Sequence, residues 1–145
     1  MRAVIQVVSS ANVKVEDKII SQIDKGFLIL LAISASDTED IIVKMADKIK
    51  GLRVFPDENG KMNLSLEEVG GQLLVVSQFT LYANTTKGNR PSFTDSAAPV
   101  KAVPYYEKFI SLMRERGFIV KTGQFGAMMS VSLINEGPIT IIIDI

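Results

Sequence analysis

FLILLAIS, residues 27–34, decides the fold. The run carries no charge and is apolar up to its closing Ser34, so neither face of a strand built from it suits water. This predicts a central, fully buried strand. Upstream, RAVIQVV (2–8) reads as a first strand, and VKVEDKIISQID (13–24) as two short strands around a polar turn at Glu16, Asp17 and Lys18. Downstream, DTEDIIVKMADKIK (37–50) predicts a helix, because Ile41, Ile42, Met45 and Ile49 recur at helical spacing. Ser36 with Glu39 offers a capping box, and acidic residues crowd the first turn, where the helix dipole favours them.

LRVF (52–55) follows as a short strand, with PDENG (56–60) as a strong turn signal. QLLVVSQFTLY (72–82), entered through Gly70 and Gly71, is the longest strand candidate. TKGNRPSF (86–93) is loop, punctuated by Gly88 and Pro91. A second helix is expected over roughly Val100 to Arg116, ended by Gly117, or from a start nearer Val103 that puts Pro104 at the first helical position. FIVKTGQF, MMSVSLI and PITIIIDI then read as closing strands. Together these elements predict an α+β protein, a strand-rich sheet or barrel with two covering helices.

The chain has 145 residues, which suits one domain spanning 1–145, and 47% are hydrophobic, enough for a substantial core. No window approaches the roughly 18 to 20 unbroken apolar residues that span a bilayer. The opening MRAVIQVVSS alternates like a strand and lacks the form of a secretory signal. A soluble, cytoplasmic protein is therefore expected, with no membrane partner.

Absent residue types narrow the chemistry. The chain has no Cys and no His. That excludes disulfides, thiolate nucleophiles, Ser-His-Asp triads and Cys- or His-based zinc sites, and no cofactor is implied. Chemistry must come from hydroxyls, carboxylates, Lys, backbone amides or the substrate itself. Sixteen basic residues balance 16 acidic ones, which argues against a broad basic face for nucleic acid but permits a local phosphate contact.

Four segments carry candidate functional groups. In VVSQFTLY (75–82), Ser77, Gln78 and Thr80 interrupt an apolar run; on a strand, Ser77 and Phe79 share one face, Gln78 and Thr80 the other. With Phe79 packed inward, the other pair projects toward a cleft; the plainer alternative is a solvated strand edge. In TKGNRPSF, Lys87 and Arg90 flank a glycine that permits close phosphate approach, unless this is simply a surface turn. In QFGAMMSV (124–131), Phe125, Met128 and Met129 can line an adaptable pocket for a base, or can simply be core. In NEGP (135–138), Gly137 and Pro138 form a turn between two buried strands, or, with a cis bond, a main-chain reader built from their carbonyls.

Taken together and in this order, the segments resemble the D-aminoacyl-tRNA deacylase family. SQFTLY (77–82) matches one signature and NEGPIT (135–140) the second. MRAVIQ, Lys61 to Asn63, RPSF (90–93) and TGQFGAMMSVSLIN also look like the family, so the resemblance covers essentially the whole chain. It implies a barrel-like homodimer without a metal that hydrolyses the ester between a D-amino acid and the terminal adenosine of tRNA. It also implies clearance of mischarged glycyl-tRNA. By position, Ser77, Gln78, Phe79 and Thr80 would lie at the reaction centre, with Phe125 and Met129 lining the adenosine pocket. Lys87 and Arg90 would meet the 3' acceptor end. Gly137 and Pro138, joined by a cis bond, would reject L-aminoacyl groups in the partner subunit's site.

Two positions depart from the family. Its first strand commonly reads Gln-Arg-Val, and that Arg is thought to hold the Gly-Pro peptide; here the residues are Gln6, Val7 and Val8. Asn89 stands where an Arg is frequent, so weaker phosphate affinity is expected. The alternative reading is a non-catalytic dimer that binds the tRNA acceptor end.

Overall fold

The computed structural model describes residues 1–145. The predicted central strand is β3 (Gly26–Ala32), with Phe27, Ile29 and Leu31 on one face, Leu28 on the other, and all four buried. It pairs antiparallel with β1 (Arg2–Val15) and parallel with β6 (Gln72–Ser77). β2 (Lys18–Ile23) extends the sheet beyond β1, and β7 (Val120–Thr122) beyond β6. The β1–β2 turn places Glu16 and Asp17 at φ of 48° and 63°. Both left-handed angles match the turn that a tight hairpin's twist demands.

The sheet curls until its ends meet, where the Ser21 hydroxyl donates to the Thr122 carbonyl at 2.5 Å. This gives the expected barrel-like, mixed sheet. At the base of β3, a Cβ on Gly26 would lie 1.9 Å from the Gln72 carbonyl oxygen. Only glycine permits that approach between the parallel strands.

Two cores lie on opposite faces of the sheet. Ala3, Ile5 and Val7 of β1 join Phe27, Ile29, Leu31, Leu73 and Val75 beneath both helices, α1 (Glu39–Lys50) and α2 (Pro99–Glu115). Val8, Ala11, Val13, Leu28, Leu74 and Val76 form the second core, under Met129, Val131 and Leu133. Adjacent Val7 and Val8 are both buried, one in each core. A separate hairpin, β4 (Arg53–Pro56) with β5 (Met62–Ser65), covers Phe27 by stacking Phe55 on it at 5.2 Å between centroids.

Several boundaries differ from expectation. α1 begins at Glu39, with Thr38 as its N-cap and no side-chain capping bond, so the Ser36–Glu39 capping box does not form. Ser36 instead contacts the Ser34 hydroxyl, because buried Asp37 fixes the entry by accepting from the Ser34 amide at 2.8 Å and the Met1 amine at 2.6 Å. α2 spans Pro99–Glu115, within a residue of the Val100–Arg116 expectation and earlier than the alternative start near Val103, with Pro99 in the first turn, where a missing N–H costs nothing. Pro104 therefore lies inside the helix, on its exposed side. FIVKTGQF contributes only the three residues of β7.

Two corrections bear on function. β6 stops at Ser77, and Phe79–Tyr82 form a short 3-10 helix, so SQFTLY is not a strand and its side chains do not alternate between two faces. Phe79 does not pack inward: it is 57% exposed, set edge-on against Phe93. The second correction concerns NEGP, which is not a turn between two mutually paired, buried strands. One long strand, β8 (Ser130–Asp144), runs through it, and both arms pair antiparallel with β1.

Candidate active site

The cleft forms where β6 gives way to the 3-10 helix. Gln78 leaves the strand at φ −143°, ψ 72°, its amide donating to the Leu31 carbonyl at 2.8 Å. The Leu81 amide returns to the Gln78 carbonyl at 3.1 Å and closes the first turn. The Phe79 and Thr80 amides precede that bond and have no acceptor within the helix, as at every helix start. Gln78 Nε2 donates to Thr80 Oγ1. Arg2, not anticipated by the sequence reading, pins the far end of the turn. Its Nη1 donates to the Leu81 carbonyl at 2.9 Å, and its guanidinium sits 5.0 Å from the Tyr82 ring centroid. Hydrogen bonding to Asp144 holds the Arg2 pKa above its ordinary value. Burial, reinforced by the charges of Asp37 and Asp144, pushes the Tyr82 hydroxyl up to about 12.

Ser77, Gln78, Phe79 and Thr80 line one cleft of about 440 Å3 with Phe125, Met128 and Met129. Leu31, Ile33, Val76, Ala102 and Val131 complete an apolar wall, and no charged or otherwise titratable side chain lines the space. Phe125 is held edge-on by Tyr106, ring centroids 5.8 Å apart. Met129 packs so tightly on Gly123 that a Cβ there would lie 2.6 Å from its sulfur. The cleft therefore offers a flat ring, thioethers, hydroxyls, a carboxamide and helix-start amides. That set can seat an aromatic base and polarise a carbonyl, but it holds no strong base.

The remaining sequence candidates lie elsewhere. Lys87 and Arg90 are exposed on the loop closed by reciprocal Asn84–Ser92 backbone bonds, and neither makes an ion pair. Beside that loop is a hydroxyl-rich hollow of about 600 Å3, lined by Ser34, Ser36, Tyr82, Thr85, Thr86 and Thr94 among others. Gly137 lines a third hollow with Val7, Phe55 and Met62, away from the cleft. The Gly137-Pro138 bond is cis, with Gly137 at φ +108°. No group of three or more acidic side chains gathers as a metal site.

With this geometry in view, similarity to known proteins is direct. A model of the family described as D-Tyr-tRNA(Tyr) deacylase matches residues 4–144. A D-aminoacyl-tRNA deacylase of Herpetosiphon aurantiacus is 56% identical over 144 residues, covering 99% of this chain and 94% of that one. One from Thermus aquaticus is also 56% identical, covering 99% and 95%. A solved structure titled c-Myc DNA Unwinding Element Binding Protein superposes with a TM-score of 0.93 at 39% identity, covering 99% of this chain and 98% of that chain. A probable eukaryotic D-amino acid tRNA deacylase shares the fold, with a TM-score of 0.85 at 21% identity over 99% and 98% of the two chains. Matched along nearly its whole length, the chain belongs to the D-Tyr-tRNA(Tyr) deacylase family.

Proposed function

We propose that the protein hydrolyses the ester joining a D-amino acid to the terminal adenosine of tRNA, and clears mischarged glycyl-tRNA in the same way. The observation that carries this reading is the one cleft in which the Ser77–Thr80 turn faces Phe125 and Met129. Adenine rests on the Phe125 and Met129 side. The ester carbonyl points at the Phe79 and Thr80 amides, which stabilise negative charge as it develops on oxygen, an effect worth roughly 3–4 kcal/mol per well-placed donor. Water, oriented with help from the adenosine 2'-hydroxyl, adds to the carbonyl carbon. The bond to the 3'-oxygen breaks, that oxygen takes a proton, and free amino acid and tRNA leave. Thr80 is not the nucleophile in this scheme. Its hydroxyl receives a hydrogen bond from Gln78, and no base lines the cleft to remove its proton.

Selection against L-aminoacyl groups is by exclusion. In a homodimer, the Gly137 and Pro138 backbone of one copy enters the other's cleft and occupies the space an L side chain needs. Both residues are exposed and neither lines its own cleft, which supports action on a partner. β8 pairs only with β1, and Ile134 and Ile142 stand 59% and 68% exposed along it, which supports a second copy as the covering surface. Lys87 and Arg90 meet the acceptor end near the hydroxyl-rich hollow, and so few phosphate contacts suit a chain of zero net charge.

The test is deacylation of matched D-, L- and glycyl-tRNA. D-aminoacyl- and glycyl-tRNA should be cleaved and the L-ester spared. Rapid L cleavage would sink the stereochemical part, and tRNA binding without turnover would indicate the non-catalytic alternative.

A further inference from the structure

We infer that Asn135 is the positioning residue that fixes the Gly137-Pro138 segment, and through it the choice between D and L substrates; the second half rests on the proposed function. Along β8, Asn135 pairs with Val8 and Thr140 pairs with Gln6. Four residues, Glu136 to Ile139, therefore stand opposite the single residue Val7 and must leave the plane of the ladder. An excursion of that kind is free to swing unless its neck is tied.

Ile139 packs against the main core at one end of the excursion, and the polar tie is a single carboxamide. Asn135 Nδ2 donates to the Val7 carbonyl at 2.8 Å and to the Ile139 carbonyl at 2.9 Å. One bond reaches across to β1 and the other spans the excursion from its first flank to its last residue. Both protons of the amide are used, and the side chain is partly buried. The remaining side-chain bond at the neck, from Gln6 Nε2 to Thr140 Oγ1, is 3.3 Å long and exposed. Val7 has no polar side-chain atom and takes part through its carbonyl only. The strand position that lacks a side-chain donor is thus used as an acceptor, and the donor comes from β8 itself. Asn135 lines no part of its own chain's cleft, and both its amide protons are spent on backbone carbonyls, so it acts through the segment it holds.

The test compares the wild-type chain with Asn135→Asp, which keeps the shape, removes both donated protons and turns a carboxylate oxygen toward the two carbonyls. Two readouts are needed: hydrogen exchange at the Gly137 and Ile139 amides, and kcat/KM on matched D- and L-aminoacyl-tRNA. Exchange should quicken, and the L-to-D ratio should rise by about tenfold, the scale of a lost hydrogen-bonded constraint, with the D rate held within about threefold. An unchanged L-to-D ratio overturns the inference, as does equal loss of both rates in a folded variant. If the Asp variant does not fold, Asn135→Ala is measured the same way. If the wild-type chain cleaves neither ester, the proposed function fails on its own, and exchange alone judges the positioning role, with unaltered Gly137 and Ile139 rates overturning it.

Discussion

Tyr106 of α2 donates its hydroxyl proton to the Val75 carbonyl at 2.7 Å, deep in the core. The same carbonyl accepts the Gly123 amide at 3.0 Å. One oxygen thus joins the helix, β6 and the start of the segment bearing Phe125 and Met129, two residues before the strand releases into the Ser77–Thr80 turn. Burial pushes the Tyr106 pKa far above its ordinary 10, so the proton stays in place across any working pH. Tyr106→Phe keeps the ring against Phe125 but removes this bond. The expected cost is about 1 kcal/mol of stability, read from urea unfolding, with a small rise in KM.

Thr80→Ala separates positioning from nucleophilic catalysis. A side chain that merely accepts a bond from Gln78 is dispensable within about tenfold of the single-turnover rate, whereas loss of a nucleophile costs several orders of magnitude. Single-turnover deacylation of D-aminoacyl-tRNA decides between them.

Phe125→Ala should weaken substrate binding more than it slows chemistry. Stacking of a base on an aromatic ring contributes about 1–3 kcal/mol, so KM should rise by roughly tenfold or more while kcat holds. A fall in kcat at constant KM would place the ring nearer the reacting carbonyl than the adenine.

Stability should fall in acid. Hydrogen bonds from Lys44, then Thr38, hold Asp40 down to about 2 against an ordinary 3.8. The Lys61 amide lowers Asp57 from 3.8, and the Ser65 amide and hydroxyl lower Glu68 from 4.5. These groups bind protons more readily unfolded than folded, so their contribution is present above the ordinary values and is lost as pH drops through the folded ones. Thermal melts should be flat above about pH 5 and decline toward pH 2, modestly because all three carboxylates face solvent. On the alkaline side the sign reverses. Tyr82 is raised to about 12, so unfolding releases its proton more readily and stability should fall as pH climbs past 10.

The fold was legible wherever local pattern and burial coincide. β3 is apolar on both faces because both are covered, and α1 buries Ile42, Met45 and Ile49 at the spacing its sequence shows. The misreadings come from contacts that no local window contains. PITIIIDI and MMSVSLI look like separate strands because their common partner, β1, lies at the other end of the chain. SQFTLY looks like strand by composition, yet the Leu81–Gln78 and Ala83–Thr80 backbone bonds wind it into a 3-10 turn. In the cleft, the Ser77–Thr80 segment, Phe125 and Met129 were all marked in the sequence, through family resemblance more than spacing. Arg2 was not, and Asn135 stood out only as the first letter of the NEGP signature, since the roles of both depend on which carbonyls the folded register brings within reach.

Met129 sits in the cleft with its thioether against Gly123, and Met128 beside it is 92% exposed. A chain without cysteine or histidine is indifferent to thiol alkylation and imidazole modification. Peroxide is another matter: a sulfoxide at Met129 would put a polar oxygen into a wall fitted to sulfur and carbon, with no room at Gly123 to yield. The soft point of this hydrolase under oxidative stress is therefore the wall of its cleft, the side proposed to seat the nucleoside, and a methionine sulfoxide reductase, not a thiol reductant, is what would restore it.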